Sequence, residues 1–200
     1  MKKFISSIFF LFICCFASTA QREFPTPMAV AGQSSSYSQS ADAFGFDGRG
    51  FYNPNDESKD YSVFNMPDVS ASQIKSALFT KLSSIFKSPK DAITSISDNI
   101  IQLEGYAESV YISRKESATC PVDISFTLII QIKDGRVRYN FPTIKQIYLR
   151  NFPYLGTARL DMSKSLTTLI STSQDRESVA KYFNKLVTAL NSAINAENDW

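Results

Sequence analysis

The 200-residue sequence contains no histidine. That absence excludes Ser-His-Asp and Cys-His nucleophilic arrangements, two-histidine zinc sites and imidazole acid–base chemistry. Cysteine is scarce: three residues, two of them, Cys14 and Cys15, side by side near the N-terminus. No Cys-x-x-Cys pair occurs. No phosphate-cradling glycine loop or Gly-x-Ser-x-Gly elbow appears either. Neither sign of charge dominates, with 21 Lys and Arg against 19 Asp and Glu. Dedicated nucleic-acid binders carry a clear basic excess, so this balance argues against one. What is present is apolar. Hydrophobic residues make up 44% and charged residues 20%, enough to build one ordinary core and too mixed for a disordered chain or a membrane bundle.

The N-terminus reads as a secretory signal over residues 1–20. Met1-Lys2-Lys3 is a basic start, Phe4 to Phe16 an apolar stretch too short to span a bilayer comfortably, and Ala17-Ser18-Thr19-Ala20 a small-residue cleavage site before Gln21. The alternatives are an uncleaved anchor and a lipoprotein modified at Cys14 or Cys15. Ile13 is bulky where a lipoprotein signal wants a small residue. Cleavage after Ala20 removes Lys2, Lys3 and both cysteines, leaving a formally neutral chain with one thiol, Cys120. A single cysteine forms no internal disulfide, so the core alone would hold the domain. Cys120 precedes Pro121 at a strand start and reads as a small half-buried residue; as a reactive thiol it would need Arg114 or Lys115 beside it. The expected destination is the periplasm or cell surface.

Residues 21–58 read as a flexible Ser-, Gly- and aromatic-containing tether. Pro25, Pro27, Ser34-Ser35-Ser36 and the glycines from Gly45 to Gly50 interrupt any period. Phe44, Phe46, Phe51 and Tyr52 are nonetheless too aromatic for a plain spacer. They are candidates for docking on the domain or on a partner, as is Trp200 at the C-terminus.

Residues 59–200 carry the domain. Tyr61 to Met66 alternates as a strand ended by Pro67-Asp68. Ser70 or Ser72 can cap a helix whose apolar face is Ile74, Ala77, Leu78, Leu82, Ile85 and Phe86, stopped by Ser88-Pro89. Short strands follow at Ile93–Ile96, Asn99–Leu103 and Tyr106–Ser113, the last two joined by a turn at Glu104-Gly105. Val122 to Phe141 is a hairpin centred on Lys133-Asp134-Gly135-Arg136, whose Asp-Gly pair predicts a type I′ turn. Pairing Lys133 with Arg136 places Ile132 opposite Val137 and Ile130 opposite Tyr139 on one face. It places Gln131 opposite Arg138 on the other. A one-residue slip would destroy both matches. Ile144–Leu149 extends the sheet, and 157–170 has no clear period. A final helix over about 175–196, capped by Asp175, buries Val179, Phe183, Leu186, Val187, Leu190 and Ile194.

Strand, helix, several antiparallel strands and a last helix, with the Tyr61–Met66 strand, Pro67-Asp68, the helix through Phe86, the Glu104-Gly105 stretch, the Lys133 to Tyr139 run and Asp199-Trp200, resemble the bacterial domain of unknown function DUF4468. The similarity is good over 60–143 and loose over the last helix. It implies an α+β, TATA-binding-protein-like (TBP-like) fold, a curved antiparallel sheet with two amphipathic helices on one face. It implies export and no established activity, and so carries over no catalytic residues. Fold similarity to the transcription factor does not transfer DNA binding.

Candidate chemistry is sparse. Lys133, Arg136 and Arg138, with Gln131 and Asn140, form a polar sheet face suited to a carboxylate, phosphate or glycan; the plain alternative is a solvated surface. Glu104 and Glu108 flank the expected turn as a carboxylate pair. Asn53, Asn55, Asp56, Glu57 and Asp60 are rich in oxygen but lack the spacing of a calcium loop. No catalytic set, metal site or cofactor is expected. The leading reading is a non-enzymatic exported binding module for a protein or envelope component. The alternative is a hydrolase or other envelope enzyme built on Asp, Glu, Lys or Tyr without histidine.

Overall fold

A computed structural model describes residues 42–86, 88–115, 118–152 and 156–196. The expected signal, the first half of the tether, Cys14, Cys15 and Trp200 lie outside these residues. Among the described residues no helix is long and apolar enough to cross a membrane.

The elements run β1 (Gly45–Phe46), β2 (Phe51–Tyr52), β3 (Tyr61–Asn65), α1 (Ala71–Ile85), α2 (Pro89–Ala92), β4 (Ile93–Ser97) and β5 (Ile100–Lys115). They continue with β6 (Ala118–Lys133), β7 (Arg136–Asn140), β8 (Thr143–Phe152), β9 (Gly156–Arg159), α3 (Leu166–Leu169) and α4 (Ser173–Ala196). The fold is α+β. Among the described residues, β3 to β9 form one antiparallel sheet of seven strands. β6 is its axis. β5 pairs along one edge, while β7 and then β8 share the other. β7 and β8 are one strand direction broken at Phe141-Pro142, where proline has no N–H to offer the ladder. Phe141 N–H turns instead to Asp60 O.

The sheet has one apolar face. Val122, Ile124, Phe126, Leu128, Ile130 and Ile132 of β6 are all buried, and Val137 and Tyr139 of β7 continue that face. α1 and α4 cover it, packing against each other. α1 contributes Ile74, Ala77, Leu78 and Leu82. α4 contributes the expected stripe from Val179 to Ile194, with Asn191 accepting the Tyr139 hydroxyl at 2.7 Å. The register predicted from the sequence holds: Lys133 with Arg136, Ile132 with Val137, Gln131 with Arg138 and Ile130 with Tyr139.

Several expectations are corrected. The turn at Asp134-Gly135 is not type I′. Its positive φ falls on Gly135 alone (72°), the sign pattern of a type II turn. Tertiary contacts set it. Asp134 Oδ1 accepts Ala71 N–H at 2.7 Å, Gly135 N–H donates to Val69 O at 2.8 Å, and Gly135 O accepts Met66 N–H at 2.7 Å. The hairpin tip is thereby clamped to the start of α1, which Ser70 and Gln73 close with a capping box.

Glu104-Gly105 is not a turn. β5 runs straight through it, Glu104 opposite Thr127 and Gly105 opposite Phe126. Gly105 is there because a Cβ would come within 2.3 Å of Phe126 Cζ, at the tip of a ring that is itself buried against Phe183 and Tyr182. The actual β4–β5 turn is Asp98-Asn99. Asp175 does not cap α4 through its side chain. Thr172 Oγ1 accepts the Asp175 N–H at 3.0 Å, one turn earlier than expected.

The tether expectation fails from residue 42 onward. β1 and β2 pair as a small hairpin around Asp47, whose carboxylate accepts the N–H groups of Arg49 and Gly50. The Asn184 amide of α4 bonds both backbone groups of Phe44, each at 2.9 Å. Phe44 and Phe46 are buried, and Phe51 stacks edge-on to Phe183 at 5.1 Å. Burying such rings stabilises by about 1.5–3 kcal/mol each, enough to order a short segment of low intrinsic propensity.

Candidate functional site

The sheet face opposite the helices is the open one, and two groups of side chains gather on it. Near the β6–β7 turn, Gln131, Lys133, Arg136 and Arg138 line a shallow groove of about 260 Å³ with Tyr61 and Val63 of β3. The alternation of β6 and β7 puts these residues outward, because the same alternation buries Ile130, Ile132, Val137 and Tyr139. Asn140, the fifth expected residue, orients its neighbour: Arg138 Nε donates to Asn140 Oδ1 at 3.0 Å. The Arg138 guanidinium lies 3.6 Å over the Tyr61 ring and 3.8 Å from Asp60, whose carboxylate is largely in water. Among the described residues Lys133 and Arg136 form no ion pair. They are directly paired across the strands, an arrangement of like charges that costs about 0.2–1 kcal/mol.

The second group was not anticipated. Asp123 on β6 is fully buried, although it points to the open side of the sheet. β5 bulges opposite it, between Ala107 and Tyr111, and Ser109 in the bulge has φ 53°. Ser109 N–H donates to Asp123 Oδ1 at 2.7 Å, and Tyr106 Oη donates to Oδ2 at 2.8 Å. Arg150 Nε sits 2.9 Å from the same oxygen, off the N–H axis, so that contact is ionic rather than a hydrogen bond. Arg150 also donates to Ser109 Oγ and lies 4.0 Å from Glu108. Desolvation and the Asp123 bond both hold the Tyr106 proton on well above the ordinary phenol range. A buried carboxylate satisfied by three groups is a structural fastener for the bulge. Glu104 precedes that bulge and Glu108 lies within it, so the two do not face each other across a turn.

The remaining candidates have other duties. Phe44 and Phe46 are consumed by the core, and Phe51 by its contact with Phe183, so only Tyr52 of the four arm aromatics presents a surface, at 41% exposure. The oxygen-rich stretch is a loop fastener. Asn53 accepts the N–H groups of Asn55 and Asp56 and donates to Tyr61 O, while Lys59 and Ser58 hold the Asp56 carboxyl at about 2. Among the described residues no three acidic or cysteine side chains come together as a metal site. Cys120 is buried and unpaired with another cysteine, an inert position.

No family model matches the chain, and no curated protein matches it. Solved structures do. A TBP-like protein from Parabacteroides distasonis is similar at 11% identity and a TM-score of 0.46, over 68% of this chain and 90% of that one. A DUF4468 family protein from Bacteroides ovatus is similar at 12% identity and a TM-score of 0.44, over 67% of this chain and 84% of that one.

Proposed function

We propose that this chain is a non-enzymatic binding module, exported to the cell envelope, that holds an anionic group in the groove formed by Lys133, Arg136 and Arg138. The observation that carries the reading is the juxtaposition of Lys133 and Arg136. Two cations sit opposite each other, without an acidic partner among the described residues, beside a third that is fixed by Tyr61 and Asn140. Folding alone would favour an acid at one of these positions. An anion bound between them would offset the repulsion, and Arg138 is preset for a two-pronged contact. The hydrolase alternative needs convergent carboxylates with a Lys or Tyr in a deep pocket. The open groove and the fully bonded Asp123 favour binding instead.

Calorimetric titration with inorganic phosphate and tripolyphosphate tests the reading. The unaltered protein binds at least one of them. The R136A/R138A double variant keeps its circular dichroism and loses roughly tenfold or more in affinity, as expected for charge-assisted bonds of about 1.5–3 kcal/mol. Equal affinity in the two proteins removes the proposal. Export is tested separately: fractionation and the mass of the mature chain should show an N-terminus at Gln21, whereas a lipidated Cys14 or Cys15 would mark a lipoprotein.

A further inference from the structure

We infer that the other end of the open face, around Tyr106, is a stacking site for a pyranose sugar. The site lies apart from the basic groove. Ser125 and Gln131, one from each, are six residues apart on the same side of β6, roughly 20 Å at ~3.3 Å per residue.

An open groove of about 340 Å³ runs between Tyr106, Glu104 and Lys145, with Ser125 and Thr127 on its floor. Three observations point to a ligand there. The first is the Tyr106 ring, which is 47% exposed. The ring is held in place across the sheet: its hydroxyl is bonded to the buried Asp123 on the neighbouring strand, and the Tyr148 ring stands 5.7 Å away. The bulge and Arg150 fix Asp123 in turn, so the ring is an apolar platform whose position is settled before any ligand arrives. The second is Thr127. The residue is only 9% exposed, and its Oγ1 has no hydrogen-bond partner among the described residues. A buried hydroxyl without a partner costs about 1–3 kcal/mol, and this one borders the groove. The third is the rim, which carries one acid and one base, both exposed. Glu104 accepts from Gln102 at 3.0 Å and has further acceptor capacity; Lys145 supplies donors.

These features select a ligand class. A flat apolar face asks for a partner with an apolar face of its own. Adjacent acceptors and donors ask for groups that both give and take hydrogen bonds. An organic cation would meet Lys145, and a phosphate would meet Glu104. A pyranose ring satisfies these terms, with axial C–H groups on Tyr106 and hydroxyls toward Glu104 and Lys145.

Saturation-transfer NMR and calorimetry on the full chain, with cellotriose, maltotriose and chitotriose as probes, test the inference. At least one trisaccharide should bind, with transfer strongest to its ring C–H protons. Tyr106→Ala should abolish that transfer. Because Tyr106 also braces Asp123, the exposed rim variant Lys145→Ala supplies an independent reading, weakening binding roughly two- to tenfold with an unchanged fold. The R136A/R138A variant should bind the sugar as the unaltered protein does, which separates this site from the anion groove. No transfer to any of the three sugars, or undiminished binding by folded Tyr106→Ala and Lys145→Ala, overturns it.

Discussion

Gly105 shows how much a single position decides. In the sequence it invites a turn, since Glu-Gly between two apolar runs is a common strand break. In the fold it is the flat spot on which the Phe126 ring rests, and that ring anchors the aromatic cluster with Phe183 and Tyr182. Gly105→Ala is therefore expected to force apart a packed pair, lowering stability by about 1–3 kcal/mol in urea denaturation. Stability equal to the unaltered protein would mean that the ring has room to move. The same scale explains why the Asp123 site was not legible. Asp123 sits between Val122 and Ile124 where ordinary strand alternation already calls for a polar residue. Nothing local says that it is buried, and its partners Tyr106, Ser109 and Arg150 come from two other strands. Lys133, Arg136 and Arg138 were legible because one turn places all three.

Among the elements, the β6–β7 hairpin is legible in register but not in turn type, because the two have different causes. Register follows from the alternation of flanking side chains, which the sequence displays over many residues. Turn geometry follows from what the tip touches, namely Met66, Val69 and Ala71, and no local pattern announces a contact with the start of a helix. Asp134 supplies both a cap-like acceptor and a negative charge to the N-terminus of α1. Asp134→Ala should cost about 1 kcal/mol, read as a lowered urea midpoint with an unchanged slope. No change would show that Ser70 and Gln73 suffice to start the helix. The Phe46-Asp47-Gly48-Arg49-Gly50-Phe51 stretch carries the same Asp-Gly signal, yet reads as tether because its strands are two residues long and show no period. Its order comes from rings docking on α4, a tertiary effect that only its aromatic content foreshadows.

Across the whole molecule, the two faces of the sheet divide the work. The helix-covered face holds the apolar core and, with it, tyrosines whose hydroxyls are removed from water. Burial raises the phenols of Tyr139 and Tyr111, the latter also facing the charge of Asp175, and pushes Tyr182 up to about 12. Unfolded phenols ionise near 10. The unfolded chain therefore releases these protons first. The stability gained by keeping the phenols neutral is complete below about pH 10 and drains away as pH rises toward 12. Phenolate absorbance should show the Tyr111, Tyr139 and Tyr182 phenols ionising only together with loss of the circular dichroism. Ionisation of these three near pH 10 in a folded chain would contradict that.

The open face carries the basic groove proposed to hold an anion at one end and the Tyr106 ring at the other, with no helix over either among the described residues. The most direct test of this division is residue-resolved NMR of the full chain titrated with tripolyphosphate. The account predicts amide shifts confined to the open face around Gln131 to Asn140 and Tyr61 to Asn65, fading toward Asp123. Shifts centred on α1 or α4, or none at all, would contradict it.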